Sequence, residues 1–261
     1  MPAMEIHFIG SETPDNFSGG LCDEYRLSAI GSLSELAAAA RTISANHPGC
    51  RALFTLDDRH QARYTSGHAA NNLDLAGACE EELAALPAEC FEDGEYLGYL
   101  CTKAEFAVCL RNFRAAVAPA TFEGACAHGL ALDEQALQEW LDYQQHPVTL
   151  LDQPVSALVV PVEQSYDTLA AFPNGYFTSD LDPAQNHAVA RQLAQNHGYE
   201  LMGVGASYLG FWRAQAADAA LAQALAQDLC ALYNVADRPR MAAVFAEAII
   251  GRAHVWLRYT E

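Results

Sequence analysis

Ser156-Ala157-Leu158-Val159-Val160-Pro161-Val162 is the stretch on which the reading of the fold turns. Its apolar run, bounded by turn residues, predicts a buried strand, with Pro161 marking a sheet edge or the strand's end. Downstream, Tyr166 to Phe172 reads as a short helix and Pro173-Asn174-Gly175 as a turn. Asp182 then caps a helix that has Pro183 at its first position and Gly198 beyond its last. This follows from the backbone: proline lacks a donor that the first turn does not need, and glycine accepts the left-handed conformation that closes a helix. Glu200–Gly205 and Tyr208–Arg213 read as two strands joined by a tight turn. Leu221, Leu225, Leu229 and Leu232 stripe one helix, and Met241, Val244, Phe245, Ala248 and Ile249 another. His254 to Tyr259 closes the chain as a strand. The order β-α-β-β-α-α-β implies strands with helices packed on them, a split-βαβ-like α+β sandwich with a mixed or antiparallel sheet.

Working back toward the N-terminus, Asp152-Gln153-Pro154 is a plausible boundary, dividing the chain into segments 1–150 and 151–261. In the first segment, Ile6–Phe8, Tyr25–Ile30, Cys50–Leu56 and Tyr96–Cys101 read as strands. Ser32-Leu33-Ser34-Glu35 and Thr102-Lys103-Ala104-Glu105 have capping-box spacing, in which hydroxyl and carboxylate each take a backbone N–H that the helix leaves free. Phe106, Cys109, Leu110, Phe113 and Val117 form an amphipathic stripe, and Asp133 caps a helix bearing Leu137, Trp140 and Leu141. Residues 57–73 are polar and read as irregular. A helix is expected from Asp74, with Leu75, Cys79, Leu83 and Leu86 as its stripe.

Charge narrows the function. The 261 residues carry 14 Lys and Arg against 33 Asp and Glu, net −19. A chain so acidic does not cover a phosphate backbone, which argues against a nucleic-acid partner. No apolar stretch approaches a membrane span. Met1 to His7 has neither the basic start nor the apolar run of an export signal, so a cytoplasmic protein is expected. Segment 1–150 holds 8 basic and 22 acidic side chains, segment 151–261 holds 6 and 11, and no Lys or Arg lies between Arg63 and Lys103. The eight cysteines lack a Cys-x-x-Cys pair, so buried free thiols are expected, with no metal site and no cofactor.

Several patterns resemble a known family. Pro173-Asn174-Gly175-Tyr176-Phe177, the helix running to His197-Gly198-Tyr199-Glu200-Leu201-Met202-Gly203-Val204-Gly205, and Tyr208-Leu209-Gly210-Phe211 resemble the bacterial family called domain of unknown function 4253. That family typically shows a Gly-Gly-Trp-Asn type turn, a helix ending in Tyr-Gly-Ala-Glu, a strand pair, an alanine-rich helix ending near Tyr-Cys-Pro-Asp and a tryptophan-rich last strand. Here Tyr176-Phe177 replaces the Trp-Asn pair, and the last strand keeps Trp256 and Tyr259. The resemblance covers roughly 150–261 and implies a domain boundary, with no reaction attached.

Asn174, Tyr176, Asn186 and His187 are the binding residues these patterns suggest: polar groups on a turn and on the helix that follows it. No nucleophile elbow or phosphate loop accompanies them; Gly203-Val204-Gly205 leads into strand rather than helix. The Ser66-Gly67-His68 run near Asp57-Asp58 offers hydroxyl, imidazole and carboxylate without a recognisable spacing. The expectation is a non-enzymatic binding protein, an acidic inhibitor or immunity-type protein for a basic protein partner. The alternative is a small hydrolase with its site between the two halves. A homodimer is a further option.

Overall fold

The computed structural model describes residues 3–261; Met1 and Pro2, used above in reading the N-terminus, lie outside them. Seven strands form one open mixed sheet: β1 (Glu5–Phe8), β2 (Asp23–Ser28), β3 (Arg51–Thr55), β4 (Val155–Val160), β5 (Glu200–Val204), β6 (Tyr208–Trp212) and β7 (His254–Arg258), in the order β1-β2-β4-β3-β5-β6-β7. Only β3 and β5 pair in parallel; the other neighbours are antiparallel. Mixed sheet plus helices is the α+β class expected. Segments 1–150 and 151–261 share the sheet, since β3 lies between β4 and β5.

Nine α-helices pack around it: α1 (Leu33–Asn46), α2 (Arg59–Asn72), α3 (Glu80–Ala85), α4 (Phe106–Val117), α5 (Phe122–His128), α6 (Glu134–Gln145), α7 (Pro183–His197), α8 (Ala219–Leu232) and α9 (Arg238–Ile249), counted among the described residues. None is long and apolar enough to cross a membrane. All six residues of β4 are buried. Alternate side chains point to opposite faces, so this apolar run is covered on both. β4 stops at Val160, just before Pro161, and is an interior strand. Helix α1 packs on β3, while α6 packs on β7 and sets Tyr143 edge-on against Tyr208.

Sequence caps become geometry. Glu35 Oε2 accepts from the Ser32 N–H at 3.0 Å, and Asp182 Oδ1 from the Gln185 N–H at 2.7 Å, with Gly198 at φ 68° closing α7. Glu105, almost wholly buried, accepts from the N–H groups of Cys101 and Thr102 at 2.9 Å each. The free edge of β7 is closed by a side chain. Gln144 Oε1 accepts from the Trp256 N–H and its Nε2 donates to the Trp256 carbonyl, both at 3.1 Å, so an amide on α6 does the work of a neighbouring strand.

Three local expectations are corrected. Residues 57–73 contain helix α2. Its buried arc is Ala62, Thr65, Ser66 and Ala69, too small and polar to show as apolar periodicity. The helix expected from Asp74 is confined to α3: Asp74 sits at φ 51°, outside the helical region, and residues 75–79 run on as turn and coil. Tyr96–Cys101 is not a strand. Gly98 and Leu100 both have positive φ, and only a bridge between Glu92 and Glu95 forms there. The cysteines are free; Cys22, Cys90, Cys109 and Cys230 are buried, whereas Cys79 and Cys101 are exposed.

Candidate functional site

The site is organised by α2, whose three arcs meet three different surroundings. Asp58, at φ 32°, caps it by accepting from the Gln61 N–H at 3.1 Å. The buried arc faces the Pro173-Asn174-Gly175 turn. Thr65 Oγ1 donates to Asn174 Oδ1 at 2.6 Å, and Asn174 Nδ2 donates to the Ala62 carbonyl at 3.0 Å. From α7, Asn186 Nδ2 donates to the carbonyls of Asn174 and Leu181 at 2.9 and 3.1 Å. Gly175 adopts φ 106°, and a β-carbon there would collide with the Leu181 carbonyl, so glycine is required. Buried amides that satisfy backbone groups specify this turn. Asn186 Oδ1 stays buried without a hydrogen-bond partner among the described residues.

That turn presents Tyr176 to the second arc. Its ring stacks on His68 with centroids 4.7 Å apart and planes 29° apart. Tyr64 meets His68 edge-on at 4.5 Å, and Phe177 meets Tyr176 at 5.4 Å. Tyr64, Tyr176 and Phe177 remain 58%, 37% and 49% exposed, so packing leaves much of this aromatic surface open.

The third arc, with Arg63, Gly67 and Asn71, lines a cleft of about 720 Å³, joined at its border by Ser66 of the buried arc. One wall is the loop that carries Phe17. Asn16, fully buried, folds this loop by donating to the carbonyls of Gly10 and Cys22 and accepting from the Gly20 N–H. The other wall is the 96–100 segment, where Leu97 and Tyr99 are 43% and 69% exposed. Arg63 lies 5.8 Å above the Phe17 ring and has no carboxylate partner among the described residues.

The segment bordering this cleft carries Asp74, Glu80, Glu81, Glu82, Glu89, Glu92, Asp93 and Glu95. Only Glu82 is ion-paired among the described residues, with Arg111. The other seven are exposed.

His187, one position along α7 from Asn186, faces elsewhere. It is buried, with Nε2 3.1 Å from Asp167 Oδ1 and its ring edge-on to Phe113 and Tyr166. Arg114 donates to Asp167 Oδ2 through Nε and Nη2 at 3.1 and 2.7 Å. Burial acts to raise the Asp167 pKa, but the hydrogen bonds from His187 and Arg114 outweigh it and hold the carboxyl below its ordinary range. The structure therefore joins Asn174, Tyr176 and Asn186 around one turn and leaves His187 in a separate ion-paired cluster.

The Ser66, His68 and Asp57 groups have different neighbours: Ser66 the cleft, His68 the aromatic stack, and Asp57 the β5–β6 turn. Asp57 Oδ2 accepts from the Ser207 N–H at 2.8 Å, and Oδ1 is buried without a partner among the described residues. Burial pushes its pKa up to about 6, against backbone hydrogen bonds that lower it. No group of three or more His, Cys, Asp or Glu among the described residues is arranged to hold a metal.

Sequence reasoning missed the cleft. Its walls are irregular loops, and the alternation through Tyr96–Cys101 points to a strand instead of a cleft wall.

The mixed sheet and the α2-centred surface define an α+β protein with a polar, aromatic face. Residues 156–258, running from β4 to β7, match the family described as Domain of unknown function (DUF4253). That match contains Asn174, Tyr176, Asn186 and His187; helix α2 and both cleft walls lie outside it. No curated protein and no solved structure matches the chain.

Proposed function

We infer that this is a non-enzymatic binding protein that uses the α2 face to hold a basic protein partner. The observation carrying this reading is the union, along one segment, of exposed apolar surface and unpaired carboxylates. Leu97 and Tyr99 stand on the cleft wall, and seven exposed acidic side chains occupy residues 74–95 beside it. Interfaces concentrate energy in desolvated aromatic anchors and use surrounding charge to steer and select. An acidic rim around an aromatic cleft fits a partner that inserts apolar side chains from a positively charged surface. Inhibition of a basic toxin is one form this would take.

The Asn174–Asn186 network has a positioning role in this reading: it holds Tyr176 against His68. The hydrolase alternative draws on the buried Asp167–His187 pair. Arg114 already neutralises that carboxylate, and His187 Nδ1 has no hydrogen-bond partner among the described residues. The binding reading uses more of the surface. Its test is capture of basic proteins from the source cells by the immobilised chain at low and high salt. Tyr99→Ala and a Glu80→Gln/Glu81→Gln/Glu92→Gln/Asp93→Asn variant run alongside. Retention that salt and both variants abolish supports the reading, and equal retention by all forms contradicts it.

A further inference from the structure

Sharing no lining residue with the α2 cleft, a groove of about 840 Å³ lies between α1 and strands β3, β5 and β6. Its apolar surface comes from Leu33, Ala37 and Ala40 of α1 and from Ala52, Leu201 and Trp212 of the sheet. Trp140 and Trp256 are fully buried, whereas Trp212 is only partly buried. Its ring packs edge-on to Phe54 at 5.8 Å and borders the groove. The alanines keep the trough open where larger side chains would fill it. A volume of this size is in the ordinary range of small-molecule sites.

The charge here is opposite to that of the molecule. Arg41, Arg51 and Arg213 all line the groove, against a single carboxylate, Glu200. In a chain with 33 acidic and 14 basic residues, arginines have carboxylates to spare. Yet Arg41 and Arg213 have none as a partner among the described residues. Arg213 lies over the Tyr199 ring at 5.5 Å, and no carboxylate among the described residues takes its donors. Arg51 contacts Glu200 at 3.2 Å at the exposed rim. Arginine presents a planar fork that matches a carboxylate bidentately and sheds water more readily than lysine.

We propose that this groove is a small-molecule site for an alkyl carboxylate, its hydrocarbon chain lying along Trp212 and the α1 alanines and its head group held by Arg41 and Arg213. A purely polar anion leaves the apolar trough wet, and a neutral or cationic amphiphile leaves the arginines unused. This inference stands independently of the basic-partner reading, which uses another face and the opposite charge.

The experiment is calorimetric titration of the full chain with decanoate, decanol and decyltrimethylammonium, with tryptophan fluorescence followed in parallel. Expected are saturable binding of one decanoate, at least tenfold weaker binding of the two other compounds, and a fluorescence change that Trp212→Phe removes. Arg41→Ala with Arg213→Ala is expected to weaken decanoate at least tenfold. Because these arginines are not core residues, unfolding midpoints serve to confirm that the variant is folded. Ala37→Trp, which blocks the trough from α1, is expected to abolish binding independently. Absence of saturable decanoate binding, equal affinity for the neutral analogue, or unchanged affinity in the folded double-arginine variant would overturn the proposal.

Discussion

His68 and Tyr176 lie ring on ring, 4.7 Å between centroids, and so tie helix α2 to a turn more than a hundred residues away in sequence. Both rings stay accessible at the surface, so the stack contributes little to folding. His68→Ala is expected to cost no more than about 1.5 kcal/mol of stability, the upper end for an aromatic pair. The same change is expected to weaken capture of the basic partner at least tenfold. Denaturant midpoints and binding isotherms on one preparation separate the two effects. A large stability loss with unchanged binding would mark the stack as structural.

Gln144→Leu keeps the side chain's bulk and removes its amide. The Trp256 carbonyl retains the Trp140 Nε1 donor at 2.7 Å, but the Trp256 N–H loses its acceptor. A stranded buried donor costs about 1–3 kcal/mol, and a loss of that order is expected in urea unfolding. Hydrogen exchange at Trp256 is expected to accelerate more than at the paired amides of β6.

Asp57 and Asp167 are expected to give pH dependences of opposite sign. The Asp57 pKa rises on folding from an ordinary 3.8 to about 6, so the folded state holds that proton more tightly. Its contribution is therefore most favourable below pH 4 and declines as pH rises toward 6 and beyond. Asp57→Asn is expected to stabilise the protein at pH 8, by up to about 3 kcal/mol for a shift of this size, with the gain vanishing near pH 4. The Asp167 pKa is lowered on folding, so its contribution is full above the unfolded value and is lost on acidification. Asp167→Asn is expected to destabilise at pH 7 by about 1.5 kcal/mol, the low end for hydrogen bonds to a charged group, because Arg114 is half exposed and can turn to solvent. Urea midpoints between pH 4 and 8 for both variants check the signs.

Gly175→Ala tests the turn that presents Tyr176. The left-handed backbone and the nearby Leu181 carbonyl leave a β-carbon no room. A destabilisation of about 2 kcal/mol or more is expected, because strain and steric conflict add. Disturbed Tyr176 resonances in NMR spectra would place the damage at the binding face.

The later part of the fold was legible because its signals are local. Asp182, Pro183 and Gly198 mark both ends of α7, and the order from β4 to β7 follows from runs of apolar residues between turns. Helix α2 was not legible, because its buried arc is Ala62, Thr65, Ser66 and Ala69 and carries no apolar stripe. Tyr96–Cys101 has the alternation of a strand but no neighbour with which to make a ladder. At the candidate site, Asn174, Tyr176 and Asn186 are suggested by the turn and the cap that follow one another in sequence. Their partners Thr65, Ala62 and His68 could not, because contacts across about a hundred residues leave no mark in a local pattern. His187 was named with them by adjacency to Asn186, yet one step along a helix turns a side chain by about 100°, here toward Asp167.

The aromatic cleft and its acidic border are proposed to form one binding face. This proposal is tested most directly by the affinity of the purified chain for a captured basic partner, measured at low and high salt for wild type and Tyr99→Ala. Affinity is expected to fall at least tenfold with salt and at least tenfold again with Tyr99→Ala, at unchanged unfolding midpoint. Affinity indifferent to both salt and Tyr99→Ala would contradict it.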